Sequence, residues 1–320
     1  MKFVSFNQLP LYADDFSFRF FDDIKKNDAI VVFNPADALI ISPVLLRSRH
    51  SLEEHIEHIN SNNIKKAIVV AENIEFLKQC PSLEYLMIFP AISANEFDYS
   101  PLYEMPNIKC LHCETMYGED EEKITTIDYS RFPGLKRLGI KGGKGHLNVH
   151  TAKEVVSLFF DFGFPNAKTL TGFIPEGKLK NISINQSPIQ SLDGIEAALQ
   201  LCKLELSYNR RLTDISALRH LSETLRYLEI DTCGKICDFS VLKELHNLEF
   251  LTLKGSNVIQ DLSFLNKMPN LKNFHLTMNV ENGDLSLCEQ LPYVRIKNRK
   301  HYSHKDSELQ KNYTAPDDII

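Results

Sequence analysis

Between Leu179 and Lys297 one short phrase is written six times: an apolar residue, two variable ones, an apolar residue, one variable residue and a third apolar residue. It reads Leu179/Ile182/Ile184, Leu201/Leu204/Leu206, Leu225/Leu228/Ile230, Leu248/Leu251/Leu253, Leu271/Phe274/Leu276 and Leu291/Val294/Ile296. All 18 positions are apolar in a chain that is 43% hydrophobic, and successive starts lie 22, 24, 23, 23 and 20 residues apart. The last two apolar positions alternate with variable ones, so each phrase predicts a short strand with one buried face. A unit this short cannot bury that face alone. Stacked on its neighbours, it contributes to one continuous core.

Each strand leads through a polar turn into a second motif: DISAL from Asp214, DFSVL from Asp238, DLSFL from Asp261 and DLSLC from Asp284. Asp and Ser at these positions are expected to bond local backbone N–H groups, a turn-forming role and not a catalytic one.

The phrase LxxLxLxxN at this spacing resembles the leucine-rich repeat. Units with DISAL-type second halves resemble the short class found in bacterial internalins and in phosphatase regulatory subunits. The resemblance implies an α/β architecture: a right-handed solenoid, horseshoe or arc, whose concave face is a parallel sheet of about ten strands. It further implies short helices or turns on the convex side, a protein-binding role and no reaction. The position expected to hold Asn does so at Asn209 and Asn279 but reads Ser187, Cys233 and Ser256 elsewhere, so the asparagine ladder is expected to be broken.

The chain divides into a capping segment, 1–62, a solenoid, 63–298 (irregular over 63–178 and regular over 179–298), and a polar tail, 299–320, packed over the last repeat or mobile. In the cap, Ala29–Phe33 and Ala38–Leu46 read as strands. Ser51 and Glu54 form a capping box for a helix with Leu52, Ile56 and Ile59 as its apolar stripe. His55 and His58 on that helix read as a solvated polar face, not a zinc site. Weaker phrases follow at Ile64/Ala67/Val69, Leu83/Leu86/Ile88, Ile108/Leu111/Cys113 and Leu135/Leu138/Ile140. Cys110 and Cys113 form a CxxC, but three residues along a strand reverses the face, so structural thiols are expected. The acidic run Glu119–Glu122 reads as a solvated loop.

An enzyme or nucleotide-binding protein is the alternative reading, and it rests on Lys141 to His146, KGGKGH. A strand, this loop and a helix from Thr151 to about Phe162 would give the order of a phosphate-binding loop. The spacing Gly139-x-x-x-Gly143-Lys144 is one residue short of that motif, and Gly145 stands where a magnesium-binding hydroxyl belongs. A further strand at Ala167–Leu170 would fill the long gap before Leu179.

Net charge −6 and pI near 6.0 disfavour a nucleic-acid partner. Seven cysteines without regular spacing suit a reducing compartment. With no signal-like or bilayer-length apolar run, no membrane association and a cytoplasmic monomer are expected. No catalytic set, metal site or cofactor is expected.

The variable residues of the phrase form an ordered stripe on the concave face. Ten strands at ~4.8 Å make an arc of roughly 45 Å, enough for a standard protein interface. The candidate partner-binding residues are Tyr85, Phe89, Lys203, Glu205, Tyr208, Tyr227, Glu229, Asp231, Phe250, Lys254, His275 and Tyr293. Tyr208, Tyr227 and Phe250 are the expected anchors. The acidic group Glu205, Glu229 and Asp231 suggests a partner with a basic patch.

Overall fold

The computed structural model describes residues 29–33, 52–71, 73–90, 97–114, 125–142 and 144–315. Its contacts divide the chain into two compact units, 1–155 and 156–320. The described residues of each form a run of leucine-rich-repeat coils.

Among its described residues the main sheet of the first unit has five parallel strands: β1 (Ala29–Phe33), β2 (Lys66–Ala71), β3 (Tyr85–Pro90), β4 (Cys110–Glu114) and β6 (Arg137–Lys141), adjacent in that order. The weak phrases are in register, with Ala67, Leu86, Leu111 and Leu138 side by side and Val69, Ile88, Cys113 and Ile140 beyond them. All eight are buried. A two-residue pairing of β5 (Ile127–Asp128) with β7 (His146–Leu147) ties the later turns together.

The helix α1 (Leu52–Ser61) forms as expected, but its buried residues are His55 and Ile59. His55 therefore faces inward and does not belong to a solvated stripe. Ala38–Leu46, Ser51 and Glu119–Glu122 lie outside the described residues.

The second unit holds seven parallel strands: β8 (Ser157–Asp161), β9 (Asn181–Asn185), β10 (Lys203–Ser207), β11 (Tyr227–Asp231), β12 (Phe250–Lys254), β14 (Asn273–Leu276) and β16 (Tyr293–Ile296). The strands pair without slippage, so every phrase position meets its counterpart: Ile182, Leu204, Leu228, Leu251, Phe274 and Val294 form one buried row. A one-residue slip would turn that whole row to solvent, which is why the register is fixed. Outside this sheet, β13 (Val258–Ile259) pairs with β15 (Asn279–Val280).

Short 3-10 helices return the chain after β10, β11, β12 and β14, at Ser216–Leu221, Ser240–Glu244, Ser263–Lys267 and Ser286–Gln290. The four aspartates open them. Ser216, Ser240, Ser263 and Ser286 donate their N–H groups to Asp214, Asp238, Asp261 and Asp284 at 2.7–2.9 Å. Asp98 and Asp128 do the same for Ser100 and Ser130 in the first unit.

Three expectations are corrected. The helix from Thr151 to Phe162 is instead a three-residue 3-10 turn, Val149–Thr151, followed by strand β8. The phrase runs through it as Val155/Leu158/Phe160, all buried, and no strand forms at Ala167–Leu170. The asparagine missing from position 256 is supplied by Asn257, because Gly255, at φ +133°, takes up one extra residue. Asn257 Nδ2 then donates to the carbonyls of Cys233 and Ile236.

The tail to residue 315 is folded against the last coils, with Leu309 buried and Asp306 Oδ1 accepting from Ile296 N–H at 2.8 Å. Among the described residues no helix is long and apolar enough to cross a membrane.

Candidate functional site

The face opposite the leucine core, expected to be concave, is built from the variable positions of the phrase. In the second unit the register lays them out as rows. One row reads Asn181, Lys203, Tyr227, Phe250, Asn273 and Tyr293. The next reads Ser183, Glu205, Glu229, Thr252, His275 and Arg295. A third includes Asn185, Ser207, Asp231 and Lys254.

Neighbouring rows are wired to each other. Tyr227 stacks on Phe250 with ring centroids 6.0 Å apart, and Lys203 Nζ lies 5.0 Å from the centre of the Tyr227 ring. The same lysine approaches Glu205 at 3.5 Å. The Tyr227 hydroxyl donates to Glu229 at 2.9 Å, and Lys254 Nζ donates to the other oxygen of that carboxylate at 2.9 Å. Lys254 also lies 3.9 Å from Asp231. Burial, then the charges of Glu229 and Glu205, hold the Tyr227 phenol far above its ordinary pKa. His275 is held below its ordinary value, first by burial and then by Lys254 and Arg295.

The expected acidic group therefore exists, but it is laced with two lysines. The face carries both signs and does not form a bare negative patch. Six of the predicted residues form this one network: Lys203, Glu205, Tyr227, Glu229, Asp231 and Lys254.

The other expected anchors are placed differently. Phe250 is only 5% exposed, so it supports Tyr227 and is not itself an open contact. Tyr208 is 46% exposed and stands one residue past β10, at φ +55°. It belongs to a row that the sequence reading missed: Phe162, Gln186, Tyr208 and Thr232 follow successive strands at φ +45°, +52°, +55° and +54°. Left-handed backbone costs a non-glycine residue about 1–2 kcal/mol. Each N–H recovers a ladder bond, donating to Asn185, Ser207, Asp231 and Lys254 carbonyls at 2.9–3.2 Å. All four side chains are exposed at the ends of the strands.

Tyr293 is half-buried because the chain's own C-terminal segment lies on it. Val294 N–H donates to the Gln310 carbonyl at 2.9 Å and Asn312 N–H to the Pro292 carbonyl at 3.0 Å, an antiparallel pairing along the edge of β16. The Tyr313 ring meets the Tyr293 ring edge-on at 5.1 Å.

Tyr85 and Phe89 belong to the first unit, where the same face is more deeply buried. Both are half-buried: Lys66 Nζ sits 5.3 Å from the Tyr85 ring centre, and Phe89 lies 5.9 Å from the ring of the buried His112.

The glycine-rich segment after β6 folds back on the protein through His146. The imidazole Nδ1 lies 2.9 Å from the Tyr129 hydroxyl, and Nε2 lies 3.2 Å from the Lys141 carbonyl. A carbonyl only accepts, so the neutral ring carries its proton on Nε2 and receives the tyrosine proton at Nδ1. Burial holds His146 and His112 down to pKa values of about 3; Lys141 and His146 add to the shift at His112. No α-helix follows this loop, so the helix N-terminus that a phosphate-binding loop needs is not formed.

None of the seven cysteines is joined in a disulfide. Burial raises Cys80 and Cys233 to about 11 and Cys288 to about 12, which leaves these thiols protonated and poor nucleophiles at neutral pH. Among the described residues, no group of three or more His, Cys, Asp or Glu is placed to hold a metal ion.

No protein-family model matches the sequence, and no curated protein matches it either. Solved structures do. An internalin of Listeria monocytogenes, InlF, aligns over 90% of this chain and 87% of its own, at 18% identity and a TM-score of 0.51. The Toll–Spätzle complex of Drosophila, described as a molecular hub in development and innate immunity, aligns over 76% of this chain and 34% of the matched one, at 15% identity and a TM-score of 0.53. The fold is the internalin-like leucine-rich-repeat fold, with units of 19 to 27 residues.

Proposed function

We propose that the chain is a non-catalytic protein-binding module whose second unit meets its partner through the variable face, centred on Lys203 to Asp231. The observation that carries this reading is the wired pair of strands β10 and β11. Tyr227 is held by a stack, a cation and a hydrogen bond, and exposed Tyr208 stands at the other end of the same strand pair. Side chains fixed before binding lose little entropy on contact, and tyrosine on a rigid base is the residue type that dominates protein interfaces. The similarity to InlF and to a chain of the Toll–Spätzle complex supports a recognition scaffold in general.

The partner's basic groups exchange for Lys203 and Lys254 at Glu205, Glu229 and Asp231. Salt then acts chiefly on the association rate. Seven cysteines, an odd number without regular spacing, fit a reducing compartment, and we place the monomer in the cytoplasm.

The test is comparative capture. The natural chain, Tyr208→Ala and Glu229→Lys are immobilised at equal density over one extract. A species bound through this face is lost from Tyr208→Ala, weakened by about 2 kcal/mol. From Glu229→Lys it is slowed in association at low salt. Equal capture by all three contradicts the assignment.

A further inference from the structure

The last described residues of the chain occupy the variable face in a way that shows what the face can hold. Beyond its pairing with the edge of β16, the segment crosses to β14. There the Asn273 side chain meets one backbone unit twice: Nδ2 donates to the Thr314 carbonyl at 2.5 Å, and Oδ1 accepts from the Thr314 N–H at 3.3 Å. An amide side chain that satisfies both backbone groups of one residue reads extended main chain and no particular side chain. The side chain is read one residue earlier, where Tyr313 lies against Tyr293. Asn273 is only 6% exposed beneath this segment, yet Tyr313 itself is 61% exposed, so the seat is shallow.

We propose that Asn273 and Tyr293 form a docking site for an extended peptide segment carrying an aromatic residue just before the clamped one, and that residues 310–315 hold this site as an intramolecular stand-in which a partner displaces. The proposal rests on the reading of the variable face as a protein-binding surface, and it names the kind of segment that binds there. Two features favour displacement over a permanent seal. Edge pairing and an amide clamp are main-chain contacts that another extended strand can reproduce bond for bond. The one aromatic contact leaves most of its ring in water, so little apolar burial opposes release.

The probe is a fluorescein-labelled peptide of residues 308–315, followed by anisotropy. The full chain with Tyr313→Ala and Thr314→Pro loses the ring contact and the clamped N–H, which frees the site. The peptide is expected to bind this variant at least tenfold more tightly than the natural chain. Adding Asn273→Ala should reduce that affinity at least tenfold. Failure to bind a variant that melts like the natural chain overturns the proposal and leaves the segment a fixed cap.

Should the double variant not fold, amide exchange at Thr314 in the natural chain decides. It should quicken at least tenfold in Asn273→Ala and on saturation with the peptide. An unchanged rate in both cases contradicts displacement. Neither experiment needs a natural partner, so failure here does not touch the assignment at Tyr208 and Tyr227 and is distinguishable from failure of that assignment.

Discussion

The side-chain amide of Asn209 closes on the preceding coil at Ser187: Oδ1 accepts from the Ser187 N–H at 2.9 Å while Nδ2 donates to the Ile184 carbonyl at 2.9 Å. Asn209 is fully buried, so it does for one coil-to-coil step what backbone pairing does along the sheet. Asn209→Ala strands a buried donor and a buried acceptor and should cost about 1–3 kcal/mol for each group left unsatisfied. Urea unfolding measures it. A loss under about half a kcal/mol would show that water takes over both bonds.

Leu251, the middle residue of its phrase, sits in the buried row between Leu228 and Phe274. Leu251→Ala should cost about 2–5 kcal/mol through the lost transfer energy and the cavity left behind. The same denaturation experiment checks it, and a near-neutral result would place the residue outside the core.

Most of this architecture is legible in the sequence because one apolar period repeats and each copy needs its neighbours. Where two periods overlap, the reading fails. Thr151 with Glu154, followed by Val155, Val156, Phe159 and Phe160, satisfies a capped helix, while Val155, Leu158 and Phe160 satisfy the strand phrase. The strand prevails because pairing with Asn181–Asn185 buries Leu158 and Phe160 beside Ile182 and Ile184.

The variable face was legible as a set of positions but not as a network. Its lysine–carboxylate contacts link residues up to 25 apart, and nothing in a local pattern specifies them. The C-terminal segment carries no periodicity at all, and single polar groups such as Asn273 and Asp306 seat it.

Thiol titration without reductant in denaturant should return all seven cysteines as free thiols. Five or fewer would reveal a disulfide and remove the argument for a reducing compartment.

The first unit should weaken in mild acid. His112 and His146 are neutral in the folded protein, with pKa values of about 3, against an ordinary 6.5. Above pH 6.5 neither folded nor unfolded chain binds a proton at these sites. Below it the unfolded chain protonates first, so stability falls as pH drops from about 6.5 toward 3, by at most about 1.4 kcal/mol per pH unit for each histidine. Burial lowers His275 as well, so denaturant midpoints between pH 7 and pH 5, above the carboxylate range, isolate this term in a His275→Gln background. His146→Gln should roughly halve the slope, and a flat profile in the natural chain would mean both imidazoles reach water.

Photocrosslinking tests most directly that the variable face of the second unit is where protein is bound. Benzoylphenylalanine replaces either Tyr208, on that face, or Lys243, exposed on the Ser240–Glu244 return turn. The chain is then irradiated in an extract of the source cells. One discrete adduct is expected from position 208, suppressed by Glu229→Lys, and none from position 243. An adduct from position 243 with none from 208 would contradict it.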